Sequence, residues 1–449
     1  MDYDFTTGNI SKKLIKFTLP ILATLILQIL YGAVDLLIVG NFGSPSDVSA
    51  VSTGAQFISV FINLIAGLAT GTTILIANKM GAREYKNIGK VIGAGIFMFI
   101  IIAILLTFIV GLNGDFFASL INAPEKAFSK TSIYISTLGY GSFFLVAYNV
   151  LGSIFRGLGN SKVPLYTVLL STVINFILDV IFVRNFHMGA FGAAVATVIA
   201  QLSSVVFSLF FIIKIKTNFK FSLKDIRYHK KYTNSTLTVG LPVAINGFLV
   251  SLSFTFILGI ANQFGVVISA GVGITERIIG FLLLVPLAFS QSIATFVAQN
   301  VGAHKDDRAR KGLMSAIYIS LVISIIMIFV SLMYGKEILS IFSKDEAIIA
   351  AAFEYLKSYC FDIFFTVFLF NSIGYFNGYS KTKFTMISGV MGGLLVRIPV
   401  SYLFSKVTPV SVFLIGLGTP IGTVFQLILS FFYYKKLQET IKRRQRKNC

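Results

Sequence analysis

Asn175 and Asp179 stand one helical turn apart in STVINFILDVIFVRN (171–185), an otherwise apolar stretch. On a helix, that spacing stacks the amide and the carboxyl on one face. A second polar face runs through LPILATLILQILYGAVDLLIVGNF, where Gln28, Tyr31 and Asp35 follow a three-to-four spacing. Thr197 in GAAVATVIAQ and Asn149 in FLVAYNVLG offer a further hydroxyl and amide. Carboxyl, amide and hydroxyl oxygens suit a hard cation such as Na+ at Asp35, Asn175 and Asp179, or a shared proton. Two carboxylates held together repel, and binding one proton or cation relieves the repulsion. Pro20, fifteen residues before Asp35, removes a backbone hydrogen bond, so the Asp35 helix could bend or straighten as Asp35 changes protonation.

These residues must be positioned within a bilayer. Hydrophobic residues make up 55% of the 449-residue chain and charged residues 12%, with a mean hydropathy of +0.84. Soluble domains carry about 25% charged residues. Apolar runs long enough to cross a membrane as helix recur twelve times, near 14–40, 48–77, 88–112, 131–155, 163–186, 189–213, 236–263, 267–300, 312–335, 351–377, 384–405 and 411–434. Ten-residue alternation is absent, which argues against a β-barrel, and backbone satisfaction in lipid then requires helices. GNISKKLIKFTLPIL runs straight into a full-length span and reads as an uncleaved anchor.

The net charge of +20 is a topology signal. The termini and the even-to-odd loops hold 29 of the 38 Lys and Arg, including Lys214, Lys216, Lys220, Lys224, Arg227, Lys230 and Lys231 of the central loop. By the positive-inside rule both termini are cytoplasmic, as an even number of spans requires, and no nucleic-acid partner is expected. The tail KKLQETIKRRQRKNC reads as solvated, with contact to anionic lipid as the alternative. Cys360 and Cys449 support neither a disulfide framework nor a metal site, and the three histidines fall at or beyond span ends.

The chain repeats itself. ANKMGAR (77–83) returns as AQNVGAH (298–304) and FRGLGNSK (155–162) as FNGYSKTK (376–383), both at an offset of 221; LPILAT with Pro20 answers LPVAIN with Pro242 at 222. Two parallel six-span halves with a substrate cavity between them form an architecture typical of secondary transporters. The expected organisation is an N-lobe over 1–213, a basic loop over 214–235, a C-lobe over 236–434 and a basic tail over 435–449. No phosphate-binding G-x-x-x-x-G-K-[ST] element occurs, so transport would be driven by an ion gradient.

Fourteen of the eighteen acids lie in loops, tails or span ends. Asp35, Asp179, Glu276 and Asp362 lie within spans, where an ionised acid costs roughly 2.5–3.5 kcal/mol and usually faces a cavity. Glu276, beside Arg277, and Asp362 are open between structural pairing and a substrate or ion role; Gln28 and Tyr31 join them as cavity candidates. Arg397, just before Pro399, is expected near a span end, its side chain snorkelling to the interface.

At these residues the sequence resembles the multidrug and toxic compound extrusion (MATE) transporters. The likeness rests on Pro20…Asp35, the G-A-R element at 81–83, FRGLGNSK and the Asn175/Asp179 pair. It implies an all-α integral membrane protein of twelve helices in two pseudo-symmetric six-helix lobes. It further implies alternating access, export of organic cations against a proton or sodium gradient, and an N-lobe cation site at Asp35, Asn175, Asp179 and Thr197, with Asn149 beside it. The sodium-coupled branch also uses an acid in span seven; here that span has none, and Asp362 falls about a turn early in span ten. The expected function is cation-coupled efflux of cationic or amphipathic small molecules by a monomer in the cell membrane, without cofactor or enzymatic activity. The alternatives are a lipid-linked oligosaccharide flippase of the same superfamily, which would need a strongly basic cavity, and a membrane-embedded enzyme, which would need a clustered catalytic motif.

Overall fold

The computed structural model describes residues 4–214, 219 and 221–448. Lys216, Lys220, Cys449 and the side chain of Lys447 lie outside this set. Among the described residues there is no strand. Among the described residues eleven helices are long and apolar enough to cross a membrane, and a pair bent by 51° makes a twelfth when counted as one span. In chain order these are α1 (Ile10–Phe42), α2 (Pro45–Gly81), α3 (Tyr85–Gly111), the bent α4 (Glu125–Tyr140 and Ser142–Gly157), α5 (Lys162–Asn185) and α6 (Gly189–Lys214). They continue as α7 (Lys230–Asn262), α8 (Val266–Gly302), α9 (Asp306–Met333), α10 (Glu346–Gly378), α11 (Thr382–Ser405) and α12 (Val412–Arg446). Large exposed side chains such as Leu105, Phe108, Ile326 and Phe329 are what a lipid-facing surface requires.

Local chemistry sets the helix ends. Ser44 caps α2, Pro45 opens it, and the Asp47 carboxylate accepts from the Ser44 N–H (3.0 Å), a reciprocal capping box. Asp47 also accepts from Lys130 Nζ of α4 (2.7 Å) and from the Ala190 N–H at the start of α6 (3.0 Å). Gly189 has φ +54°, and a Cβ there would collide with the Asp47 carboxylate, so glycine is needed twice over.

The sequence repeat recurs as backbone geometry. Arg83 after α2 and His304 after α8 both take φ +56°, and Gly159 after α4 and Ser380 after α10 take +81° and +58°. Each pair keeps the offset of 221. Each turn is closed the same way, by six-to-one hydrogen bonds such as Glu84 N–H to Lys79 O (3.0 Å) and Lys305 N–H to Asn300 O (2.8 Å). This is the left-handed helix stop that usually takes glycine, here built three times out of four without it.

The described chain divides into two compact units, each packed by itself. One is built mainly from Lys16–Ala244 and has an extensive core on α2, α3, α4 and α6. The other is built mainly from the residues after Ile245, with buried Tyr355 and Tyr359 in its core, and includes Thr6–Ile15. In this second unit Lys305 Nζ donates to Thr6 O (2.8 Å) and Arg308 donates to Thr7 O (2.6 Å) and Gly8 O (2.8 Å). Two helices therefore change unit along their length: α1 after Ile15, close to Pro20, and α7 after Ala244, close to Pro242.

Within the first unit, the early part of α7 lies directly on α2. A Cβ on Gly71 would collide with Thr236 O and come to 2.9 Å from Gly240 N; one on Gly240 would come to 2.9 Å from Leu68 Cα; one on Gly67 would come to 2.7 Å from Ala244 N. Gly67, Gly71, Gly240 and Ala244 thus form a small-xxx-small seam on both helices. Gly71→Leu is expected to force this backbone contact apart and to lower stability by about 1–3 kcal/mol. Thermal unfolding of the purified protein checks this, and an unchanged melting temperature would refute the seam.

Candidate functional site

The first unit gathers a polar cluster from four helices. Asp35 on α1 is 5% exposed, although neighbours such as Leu30 and Leu37 face outward. Asn175 and Asp179 on α5 are fully buried, and Thr197 on α6 nearly so. Asp179 is the last residue of the α-helical part of α5, after which Val180–Asn185 widens into a π turn. Such a turn re-aims the side chains beside it and frees backbone groups, and is frequent at functional sites.

Asp35 lies within side-chain reach of Asp179, Asn175 and Thr197. Tyr31, one turn before it, reaches Thr197 and stands near both acids and Tyr134 of α4. Tyr134 was not legible in the sequence. Its ring presses on α2 at Gly54, where a Cβ would collide with it. The structure therefore unites Tyr31, Asp35, Asn175, Asp179 and Thr197, and adds Tyr134.

Two further candidates, Asn149 beside the cluster and Gln28 for the cavity, make hydrogen bonds of their own. The Asn149 amide donates to Leu145 O of its own helix (2.9 Å), and among the described residues no hydrogen bond joins it to the cluster. Gln28 is exposed and donates to Tyr148 Oη (3.0 Å).

The cluster is left unsatisfied by the protein. Among the described residues, Tyr31 Oη, Asp35 Oδ1, both polar atoms of Asn175, both oxygens of Asp179 and Thr197 Oγ1 are buried without a hydrogen-bond partner. An unmet buried polar group costs about 1–3 kcal/mol, so side chains that only glue helices together would pair with one another. The donor set is oxygen-rich and carries two carboxyls, and so fits a proton or a small hard cation.

The second unit holds a different arrangement. Glu276 Oε1 on α8 accepts from Tyr355 Oη (3.1 Å) and Tyr359 Oη (3.2 Å), and Thr419 Oγ1 donates to Tyr359 Oη (3.3 Å). Asp362 on α10 accepts from Thr423 Oγ1 (2.6 Å) and Thr366 Oγ1 (3.0 Å). Glu276 therefore pairs with hydroxyls, while its neighbour Arg277 is exposed.

Arg397 does not snorkel: it is 5% exposed. Its Nη1 donates to Ser253 Oγ (3.0 Å) and its guanidinium lies 4.4 Å from the Phe254 ring centroid. The expectation failed because Pro399 does not end the helix. Met391–Arg397 is a π segment whose bonding is already displaced, and Pro399 falls in the first turn of the α-helix that follows, where its missing N–H costs little. Neither the π segment nor the hydroxyl partners leave a mark in a uniformly apolar span.

The profile of the MatE family matches this sequence twice, over residues 20–181 and 242–403, once in each half. The chain belongs to the MatE family. The probable multidrug resistance protein YpnP of Bacillus subtilis is 26% identical to this MatE chain over 443 residues, covering 96% of each. The probable multidrug resistance protein YoeA of the same organism is 24% identical over 431 residues, covering 93% of this chain and 92% of YoeA. Among solved structures, a MOP superfamily transporter from Pyrococcus furiosus superposes with a TM-score of 0.91 over 98% of each chain at 21% identity. That likeness fixes the fold, an all-α membrane protein of two six-helix lobes, and the family makes this MatE chain a membrane transporter.

Proposed function

We propose that this MatE chain is a secondary active multidrug efflux transporter that exports organic cations in exchange for protons or sodium ions by alternating access. The observation that carries the reading is the buried, unsatisfied set around Asp35 and Asp179. Two relatives named as probable multidrug resistance proteins support the substrate class. In this reading Asp35, Asn175, Asp179 and Thr197 hold the coupling cation, Tyr31 and Tyr134 wall the site, and the protein works as a monomer in the cell membrane with both termini cytoplasmic.

Binding at Asp35 and Asp179 exchanges mutual repulsion for a shared cation, and so favours whichever conformation brings the two acids together. A bound organic cation favours the other. A ligand shifts a two-state equilibrium only by its differential affinity for the two states, and the coupling is reciprocal: each cation weakens the other by the same factor.

The test is efflux of a fluorescent organic cation from proteoliposomes, with proton and sodium gradients imposed separately. Efflux driven by one gradient establishes an antiporter and identifies its ion. No efflux under either, with folded protein, refutes the proposal and directs the next assay to translocation of lipid-linked oligosaccharide.

A further inference from the structure

The second unit holds a half-buried acid, Glu276, a buried acid, Asp362, and the buried Arg397, whose needs are met in opposite ways. The four hydroxyls of Tyr355, Tyr359, Thr366 and Thr423 converge on the carboxylates. Tyr359 Oη accepts a hydrogen bond from Thr419 Oγ1 and donates its own to Glu276 Oε1. Arg397 has five N–H donors to place. One meets Ser253, and among the described residues Nε has no acceptor.

The guanidinium lies within Coulombic range of both Glu276 and Asp362, yet among the described residues no direct ion pair joins it to either. Its position is built rather than incidental. The π segment of α11 carries it inward and the Phe254 face supports it. On α12, a Cβ on Gly422 would come to 3.2 Å from Arg397 Cβ, so glycine leaves room there, while the next residue, Thr423, donates to Asp362.

We propose that Arg397 is a tethered counter-cation. Its fixed charge offsets Glu276 and Asp362, so the second unit attracts no exchangeable ion and the cation exchanged in each cycle binds in the first unit alone. An arginine suits this role because it keeps its proton at any physiological pH and cannot leave. Without it, the half-buried Glu276 and the buried Asp362 would have to recruit a proton or a metal cation from solution. This inference rests on the coupling site proposed at Asp35 and Asp179.

The test measures the melting temperature of the purified full-length protein against sodium concentration and against pH. Asp35→Asn is expected to remove the cation response of the unaltered chain. Adding Arg397→Gln should create a new one, a rise of several degrees with sodium or with acidification, and adding Arg397→Lys should not. The titratable and charged groups in play are Glu276 from α8, Tyr355, Tyr359 and Asp362 from α10 and Arg397 itself; α7 and α12 contribute Ser253, Phe254, Thr419 and Thr423, which do not titrate. A folded Asp35→Asn, Arg397→Gln protein without any cation response overturns the proposal and leaves the first-unit site standing.

If Asp35→Asn alone keeps a response, Glu276→Gln and Asp362→Asn are added together. Loss then places the cation in the second unit and overturns the proposal. Persistence supports it, and instead revises the part given to Asp35. Should Arg397→Gln not fold, the number of cations bound per unaltered chain decides: one supports the tethered charge, and a second that disappears with Glu276→Gln and Asp362→Asn together overturns it.

Discussion

Asp35→Asn should abolish gradient-driven export while leaving the protein folded and able to bind its substrate. The substitution keeps the shape and hydrogen-bonding capacity of the side chain and removes the charge that a cation would neutralise. Asp35 sits at the centre of the cluster, within reach of Asp179, Asn175 and Thr197. Without its charge Asp179 has no acidic neighbour to repel, and a cation gains little by entering. Couplings between sites are typically about 1–3 kcal/mol, so the unaltered protein should show a roughly 5–150-fold change in substrate affinity between cation-loaded and cation-free states, and Asp35→Asn should show none. Binding titrations at two cation concentrations, beside efflux from matched vesicles, measure both quantities. Export by Asp35→Asn at the original rate would sink the assignment.

Asp47→Ala should lower stability by loosening three helix starts at once. One carboxylate joins the cap of α2, the first part of α4 through Lys130 and the first turn of α6 through Ala190. Lys130 is 41% exposed and can turn to water, so the ion pair itself contributes modestly. The Ala190 N–H is buried and cannot, and hydrogen bonds to a charged acceptor are worth about 1.5–3 kcal/mol each. Adding the lost cap, the expected cost is about 3 kcal/mol, read as a lowered melting temperature. Asp47→Asn should recover part of it by keeping one acceptor oxygen. Equal stability of Asp47→Ala and the unaltered protein would show that the three helix starts are held by packing alone.

The twelve spans, the repeat and the first-unit acids were legible because each leaves a linear signature: long apolar runs, matching words at one offset, and polar residues three or four apart. What stayed hidden depends on which face of an apolar helix meets which neighbour. Tyr134, Tyr355 and Tyr359 look like any other aromatic residue in a span, and only packing decides that the first stands by the acids and the other two serve Glu276. Asn149 shows the converse: its type and position suited the cluster, yet its amide turns to its own helix. Arg397 misled because a proline two residues on ordinarily signals a helix end, and nothing in Met391–Arg397 announces a change of helical period. The small seam of Gly67, Gly71, Gly240 and Ala244 could have been sought as glycine and alanine at four-residue intervals on α2 and α7.

A chain whose first unit is finished by Lys230–Ala244 cannot complete that unit in the order in which it is made. When the ribosome has delivered α1 to α6, the glycine seam of α2 is still bare, and it stays so until translation has passed the central basic loop. Thr6–Ile15, the earliest part of this exchange to be synthesised, has its partners Lys305 and Arg308 only much later. Biogenesis must therefore shelter both segments in the meantime, and a gene cut at the central loop would yield two halves that each lack a piece carried by the other.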